Sequence, residues 1–209
     1  MPTRRFEAIQ STYVMLPVDN VDTDQIIPAR FLTTIERTGL GGAAFFDWRY
    51  HSDGTPNAVF PLNQPGAEQA HVLVTGRNFG CGSSREHAVW ALLGVGLRAV
   101  VSTEFADIFR GNALMNGLLP IQVEPGVVER LGASAREGQP AVSIDLDSQT
   151  LIMPDGDAVQ FPIAPFAKHC LLHGIDELDF LLGATADVDT YETAHRRPVS
   201  TIEIGRAHV

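Results

Sequence analysis

The stretch from His71 to Trp90, HVLVTGRNFGCGSSREHAVW, constrains the fold more than any other part of the chain. It begins with a short apolar, β-branched segment, continues through a loop with three glycines, and ends with apolar residues at helical spacing. Ser83 and Glu86 fit the S-x-x-E capping box, so we expect a helix that begins near Ser83. The stretch therefore predicts a strand, a glycine-rich loop and a helix in succession.

The start of this helix favours an anionic ligand. Its first N–H groups and its dipole present partial positive charge, and Arg85 adds a cation beside them. The glycine spacing fits neither the phosphate loop G-x-x-x-x-G-K-[ST], because no lysine follows Gly82, nor the dinucleotide fingerprint G-x-G-x-x-G. A simple cap and a solvated arginine are the structural alternative. Because both residues follow three glycines and lie beside Cys81 and Ser84, we favour a site for a carboxylate or a phosphate.

The segments that follow predict an α/β fold. The pattern indicates three successive elements, a strand over 98–102, a helix over 105–116 closed by Gly117, and a strand over 118–123. With the central stretch they form a parallel βαβαβ core, and the glycine-rich loop then lies at the carboxyl end of a strand, where open α/β sheets bind ligands.

The C-terminal part of the chain predicts a different arrangement. Residues 141–162 alternate around turn sequences and indicate antiparallel hairpins, and residues 165–182 indicate helices broken at Gly174. The polar remainder, about 184–209, is expected to be a surface extension or an interface arm. We expect one domain over residues 1–209, because 209 residues can bury a substantial core.

Charge and cysteine content limit the classes of function. A formal net charge of −10 and a pI near 5.0 disfavour nucleic-acid binding, because the phosphate backbone would be repelled. Cys81 and Cys170 do not make a disulfide framework, which favours a reducing compartment. No stretch has the length and apolarity of a membrane span, and the first ten residues, MPTRRFEAIQ, lack the apolar core of a signal peptide. We therefore expect a cytoplasmic protein.

Three segments together carry a family resemblance. They are D-N-V-D-T-D-Q-I-I-P-A-R-F-L over 19–32, N-F-G-C-G-S-S-R-E-H over 78–87, and F-A-D-I-F-R-G-N-A-L-M-N-G-L-L-P-I over 105–121. They closely resemble the swivelling domain of the aconitase superfamily, and most closely the family of 3-isopropylmalate dehydratase small subunits. The similarity covers residues 1–200 in the right order. It implies a swivelling β/β/α domain with a parallel core, antiparallel hairpins and C-terminal helices.

The resemblance also implies a reaction. Members of that family serve a hydro-lyase of leucine biosynthesis that interconverts 2-isopropylmalate and 3-isopropylmalate through isopropylmaleate. The electrophile of the reaction is a [4Fe–4S] cluster held by three cysteines. This chain has two cysteines, so the resemblance implies that the cluster lies on a separate large subunit and that the chain is active only in that complex.

The resemblance assigns roles to five residues of this chain. Ser83 matches the proton-transferring serine, and its alkoxide would need stabilisation by N–H groups and positive charge. Arg85 matches the arginine that binds a substrate carboxylate in bidentate fashion. Ser84 would donate hydrogen bonds nearby, Asp24 matches an active-site aspartate, and Arg37 matches a second substrate-binding arginine. A solvated loop arginine is the alternative for Arg37.

The segment over about 30–50 is expected to be a mobile loop that closes over the substrate, because it contains the glycine-rich stretch Gly39–Gly42. Arg30 is a weaker candidate for a substrate contact. The segment also holds an aromatic cluster, which we interpret as a partner contact rather than local packing: Phe45, Phe46, Trp48 and Tyr50.

Two possible metal sites are disfavoured. The acidic loop Asp19–Asp24 lacks the glycine and the glutamate of an EF-hand, so turn and capping roles are the alternative to a substrate role. His169, Cys170 and His173 lack an evident fourth ligand, and an amphipathic helix explains their spacing.

Alternatives to the function remain open at this point. A small subunit of a related hydro-lyase would act on homoaconitate, citraconate with methylmalate, or dimethylmaleate. A swivelling domain that binds an anion without catalysis belongs to a different class. The segment Phe31–Thr34 should distinguish among the substrates, but the sequence does not give its shape.

Overall fold

The computed structural model describes residues 5–33, 36–138 and 140–195. The strands are β1 Ile9–Leu16, β2 Val72–Thr75, β3 Ala99–Ser102, β4 Leu119–Gln122, β5 Ala141–Asp145, β6 Thr150–Ile152 and β7 Ala158–Gln160. The helices are α1 Thr23–Ile26, α2 Phe46–Arg49, α3 Glu86–Gly94, α4 Asp107–Asn116, α5 Pro125–Glu137, α6 Pro165–His173, α7 Glu177–Gly183 and α8 Thr185–Ala194. Four short 3₁₀ turns lie at Ala29–Phe31, Gly41–Ala43, Pro61–Asn63 and Ala67–Gln69.

The seven strands form one sheet in the order β4-β3-β2-β1-β5-β6-β7. Strands β1 to β4 are parallel, and β5 to β7 are antiparallel hairpin strands. Strand β1 joins the two parts, because Tyr13–Leu16 pairs with β2 and Ile9–Thr12 pairs with β5. The predicted parallel β2-α3-β3-α4-β4 core and the predicted hairpins are both confirmed.

The parallel strands are buried on both faces, as helices cover each side of the sheet. Leu73 and Val100 pack on one face in a cluster that includes buried residues of α3 and α4. Val72 and Val101 pack on the other face with residues of α5 and α6. Such strands have to be apolar throughout, and each fully buried valine or leucine contributes roughly 1.5–3 kcal/mol.

The C-terminal ends of α4 and α6 follow the predicted glycine signals. Gly117 and Gly174 adopt the left-handed conformation at the C-caps of α4 and α6, with φ of 84° and 67°. Asp176 caps α7 in a reciprocal capping box with Asp179. Within the described chain no helix is long and apolar enough to cross a membrane.

Part of the predicted mobile segment packs against the core. Leu40 and Ala43–Phe45 are buried in the core, and a Cβ added at Gly41 would lie 2.3 Å from the Gly94 carbonyl oxygen. This close packing explains the glycine at position 41, so residues from Leu40 onward are held against α3. Movement of the segment over about 30–50 onto a substrate remains a prediction.

The aromatic cluster is mainly local packing. The Phe45 side chain is fully buried, and its ring stacks on Trp48 at 5.9 Å and contacts Phe60 at 5.7 Å between centroids. The partner-contact interpretation is therefore wrong for Phe45, because the ring has no surface to offer. Phe46 and Tyr50 are half-buried and contact each other at 4.8 Å.

Candidate active site

Three loops meet at the carboxyl edge of the parallel strands. The loop that follows β2 is hydrogen-bonded to the loops on both sides of it. The Gly80 amide donates to the Val21 carbonyl oxygen after β1 at 2.7 Å, and the Phe79 amide donates to the Glu104 carbonyl oxygen after β3 at 3.0 Å. The loop is thus fixed in the place where α/β folds bind ligands.

Two glycines of the loop are required by close approach. Gly80 has φ of 77°, and an added Cβ would lie 2.2 Å from Cγ of Phe109. A Cβ at Gly76 would lie 2.3 Å from Oδ1 of Asp19. The glycine-rich character of the loop therefore serves packing between the three loops and α4.

Ser83 lies before α3 and does not cap it, so the predicted helix start is wrong by about three residues. Helix α3 begins at Glu86, with Arg85 in extended conformation at the N-cap. Gly82 has φ of 91°, and the Thr23 hydroxyl donates to the Ser83 carbonyl oxygen at 3.1 Å. These constraints keep the Ser83 backbone out of the helix.

Ser83 and Ser84 are exposed, so their hydroxyl groups lie at the surface of the site. The loop beneath them is fixed, because the Thr23 amide also donates to the Cys81 carbonyl oxygen at 2.9 Å and Thr23 is 1% exposed. Helix α3 begins two residues after Ser84, and its N-terminus contributes partial positive charge. The arrangement presents two exposed hydroxyl groups on a hydrogen-bonded loop that leads into a helix N-terminus.

Arg85 is ion-paired with Asp24. The Arg85 Nη1 contacts Oδ1 of Asp24, with side-chain exposures of 20% and 52%. A guanidinium group has five N–H donors in a planar fork, so the remaining donors can bind a carboxylate of a ligand. The structure thus brings together two of the predicted site residues, Asp24 in α1, which follows β1, and Arg85 at the N-cap of α3, which follows β2.

The other aspartates of the acidic loop have structural roles. Asp22 caps α1 in a capping box with Gln25, and Oδ1 of Asp19 accepts from the Arg77 amide at 2.7 Å. The turn and capping alternative is confirmed for Asp19 and Asp22. Among the described residues, no three His, Cys, Asp or Glu side chains are grouped to hold a metal ion.

Arg37 reaches the first turn of α3. Its Nη2 lies 3.8 Å from Oε1 of Glu86, and its Cζ lies 5.7 Å from the centroid of the Trp90 ring. Glu86 and Trp90 are both hydrogen-bonded to Asn116 of α4. From the sequence we assigned Glu86 only a capping role, and Asn116 is 30 residues further along the chain, so this cluster was not predicted.

Arg30 contacts one carboxylate and two aromatic rings. It pairs with Asp47, and this hydrogen bond holds the pKa of the Asp47 carboxyl below its usual value. Its guanidinium lies 4.9 Å from the Phe31 ring centroid and 5.1 Å from that of Phe46. These contacts give Arg30 a structural role on the surface.

The two cysteines are unpaired thiols, and burial is the main cause that raises the pKa of each. The charge of Asp22 raises the pKa of Cys81 further. The rings of His169 and His173 contact each other on α6 with centroids 4.1 Å apart and an interplanar angle of 31°, and the His173 ring is hydrogen-bonded to the His169 carbonyl oxygen at 2.8 Å. Neither cysteine nor this histidine pair offers the donor set of an iron–sulfur cluster.

Comparison with known proteins agrees with this architecture. The fold, with its serine–arginine loop at the carboxyl edge of a parallel sheet, defines an aconitase-type swivelling domain, and residues 3–126 match the aconitase C-terminal domain family. A solved 3-isopropylmalate dehydratase from Methanocaldococcus jannaschii superposes with a TM-score of 0.63 and 27% identity, covering 88% of this chain and 99% of that one.

Sequence relatives narrow the assignment. The 3-isopropylmalate dehydratase small subunit of Chloroflexus aurantiacus is 54% identical over 189 residues, which is 90% of this chain and 94% of that protein. The small subunit of Anaeromyxobacter dehalogenans is 53% identical over 188 residues, which is 90% of this chain and 97% of that protein. This chain belongs to the family of 3-isopropylmalate dehydratase small subunits.

Proposed function

We propose that the chain is the small subunit of a 3-isopropylmalate dehydratase, the hydro-lyase that interconverts 2-isopropylmalate and 3-isopropylmalate in leucine biosynthesis. The observation that carries the proposal is the loop after β2, which presents exposed Ser83 beside the Arg85–Asp24 pair. Family membership limits the reaction to dehydration and rehydration of a hydroxy diacid. The loop supplies groups that this reaction needs.

Ser83 is proposed to transfer the proton. Dehydration removes a proton from the carbon next to a carboxylate, and rehydration returns one. A serine hydroxyl is a weak acid, so its alkoxide has to be stabilised by N–H groups and positive charge in a site without bulk water. The start of α3 and the Arg85 guanidinium supply that charge. Ser83 is exposed in the single chain, and a partner that covers it would remove the water.

The arginines are proposed to hold the two carboxylates of the substrate. The Arg85 fork can bind one carboxylate in bidentate fashion while Asp24 keeps the side chain in place. Arg37 is proposed to bind the other from its position over Trp90. Ser84 adds a hydroxyl donor next to Arg85. These local cations are necessary because the chain has a net charge of −10.

A large subunit is proposed to complete the site. The small-subunit family implies such a partner, and the described residues of this chain do not provide a cluster-binding set. A [4Fe–4S] cluster on the large subunit would supply the Lewis acid for the departing hydroxyl. The exposed edge formed by Ser83 and Ser84 is the surface that has to face it.

Reconstitution tests the proposal. The chain and a cluster-loaded large subunit are mixed without oxygen, and formation of isopropylmaleate is followed by its ultraviolet absorbance. We expect turnover by the mixture, none by either protein alone, and a kcat/KM for isopropylmalate above those for homoaconitate, citraconate and dimethylmaleate. Activity of the isolated chain, or a higher kcat/KM for another diacid, would contradict the proposal.

A further inference from the structure

A cluster of polar and ring contacts connects Arg37 to α4. It consists of Arg37, Glu86, Trp90 and Asn116, which come from a loop, from α3 and from the end of α4. None of the roles proposed above uses Asn116. Two members of the cluster, Arg37 and Glu86, line a surface cavity of about 430 Å³. The arginine is therefore open to a ligand.

Asn116 uses both ends of its side-chain amide. Its Oδ1 accepts from Nε1 of Trp90 at 2.9 Å, and its Nδ2 donates to Oε1 of Glu86 at 2.8 Å. The same Nδ2 donates to the Asn112 carbonyl oxygen at 2.8 Å. An amide is the side-chain group that offers an acceptor and donors side by side, so aspartate or leucine could not make this set of bonds.

The two partners of Asn116 are the two groups that hold Arg37. Oε1 of Glu86 lies 3.8 Å from Arg37 Nη2, and the Trp90 ring lies under the guanidinium at 5.7 Å. Trp90 is 8% exposed, whereas the Arg37 side chain is 53% exposed. A half-exposed arginine has many rotamers, so a fixed carboxylate and a fixed ring reduce its freedom before a ligand arrives.

We infer that Asn116 is a positioning residue for Arg37. It orients the Glu86 carboxylate and the Trp90 ring, and these direct the guanidinium toward the substrate carboxylate. The inference rests on the proposed function, in which Arg37 binds substrate. A half-exposed ion pair at 3.8 Å is weak, so Arg37 is held but can still move onto the substrate. Loss of this arrangement should weaken substrate binding more than it slows the chemistry.

A double-mutant cycle tests the coupling in the reconstituted complex. The variants are Asn116→Ala, Arg37→Gln and the two together, with Asn112→Ala as control, because only the backbone carbonyl of Asn112 bonds to Asn116. We expect Asn116→Ala to raise KM about tenfold with kcat within about threefold, and to change KM less than about twofold when Arg37 is already Gln. An equal factor in both backgrounds, or no change in KM, would overturn the inference.

A second measurement separates this inference from the proposed function. Nitrogen relaxation of the Arg37 Nε–H group in the isolated chain reports the order of the guanidinium without any activity assay. We expect the order to fall in Asn116→Ala and to remain in Asn112→Ala. If the order of Arg37 falls in Asn116→Ala but the reconstituted complex prefers a diacid other than isopropylmalate, the positioning role stands and the proposed substrate is rejected. Unchanged order of Arg37 would reject the positioning role whatever the substrate.

Discussion

Arg85 and Asp24 pair across two loops that follow neighbouring parallel strands, β2 and β1. The two residues are 61 positions apart in the chain, and the ion pair joins the start of α3 to α1. The arginine is largely covered, and the aspartate is about half exposed. The pair therefore fixes the cation next to Ser83 in the single chain, before a substrate or a partner is bound.

Arg85→Lys tests whether the planar guanidinium is required. A lysine retains the charge but cannot donate two parallel hydrogen bonds to a carboxylate, so we expect kcat/KM to fall about 10²-fold or more in the reconstituted complex. Arg130→Lys is the control, because Arg130 of α5 forms ion pairs with Asp155 and Asp157, and α5 packs on the opposite face of the sheet from α3. Equal effects of the two substitutions on kcat/KM would contradict the role of Arg85.

Gly80→Ala tests the packing of the loop on α4. The added Cβ would meet Cγ of Phe109 at 2.2 Å, and φ of 77° is unfavourable for alanine, so we expect a loss of roughly 2–4 kcal/mol in the free energy of unfolding. Urea denaturation of the isolated chain measures this loss. Gly111→Ala in α4 is the control: a Cβ there meets nothing within 4 Å, and we expect a gain of roughly 0.5–1 kcal/mol. A neutral Gly80→Ala would contradict the description of the loop.

The buried phenol of Tyr13 should make the folded protein less stable at alkaline pH. Its side chain is buried and donates to the Leu131 carbonyl oxygen at 2.7 Å, and burial raises the pKa of the phenol from 10.0 to about 12. Between these values the unfolded chain has lost the proton that the folded chain keeps, so stability is full below pH 10.0 and falls as pH rises toward about 12. Denaturation of Tyr13→Phe over this range should show a shallower loss than the wild type. Parallel curves for the two proteins would contradict the prediction.

The parallel core could be predicted because its signals are local. Strands β2 and β3 are short apolar runs, and Gly117 marks the end of α4. Helix α5 was missed although Val127, Val128, Leu131 and Ala135 follow helical spacing, because its Pro125–Gly126 start and its second glycine, Gly132, are typical of turns and loops. The register of β1, which pairs with both β2 and β5, depends on contacts distant in sequence.

The part of the candidate site that has local sequence signals could also be predicted. Ser83 and Arg85 lie in one continuous motif, so the sequence places them together. The predicted capping box does not form: Thr23 and the conformation of Gly82 hold the Ser83 backbone outside the helix, and the Glu86 carboxylate accepts from Asn116, 30 residues away. A local rule cannot show that a distant amide competes for the same side chain. The cluster around Arg37 therefore became visible only in three dimensions.

The most direct test of the account is the turnover of the Ser83→Ala variant in the reconstituted complex, compared with Ser134→Ala. Ser134 lies on α5, whose buried Leu131 packs on the opposite face of the sheet from α3. We expect Ser83→Ala to lower kcat about 10²–10⁴-fold while the complex still assembles, and Ser134→Ala to leave kcat unchanged. A kcat for Ser83→Ala within about twofold of the wild type, with the complex intact, would contradict the claim that this serine transfers the proton.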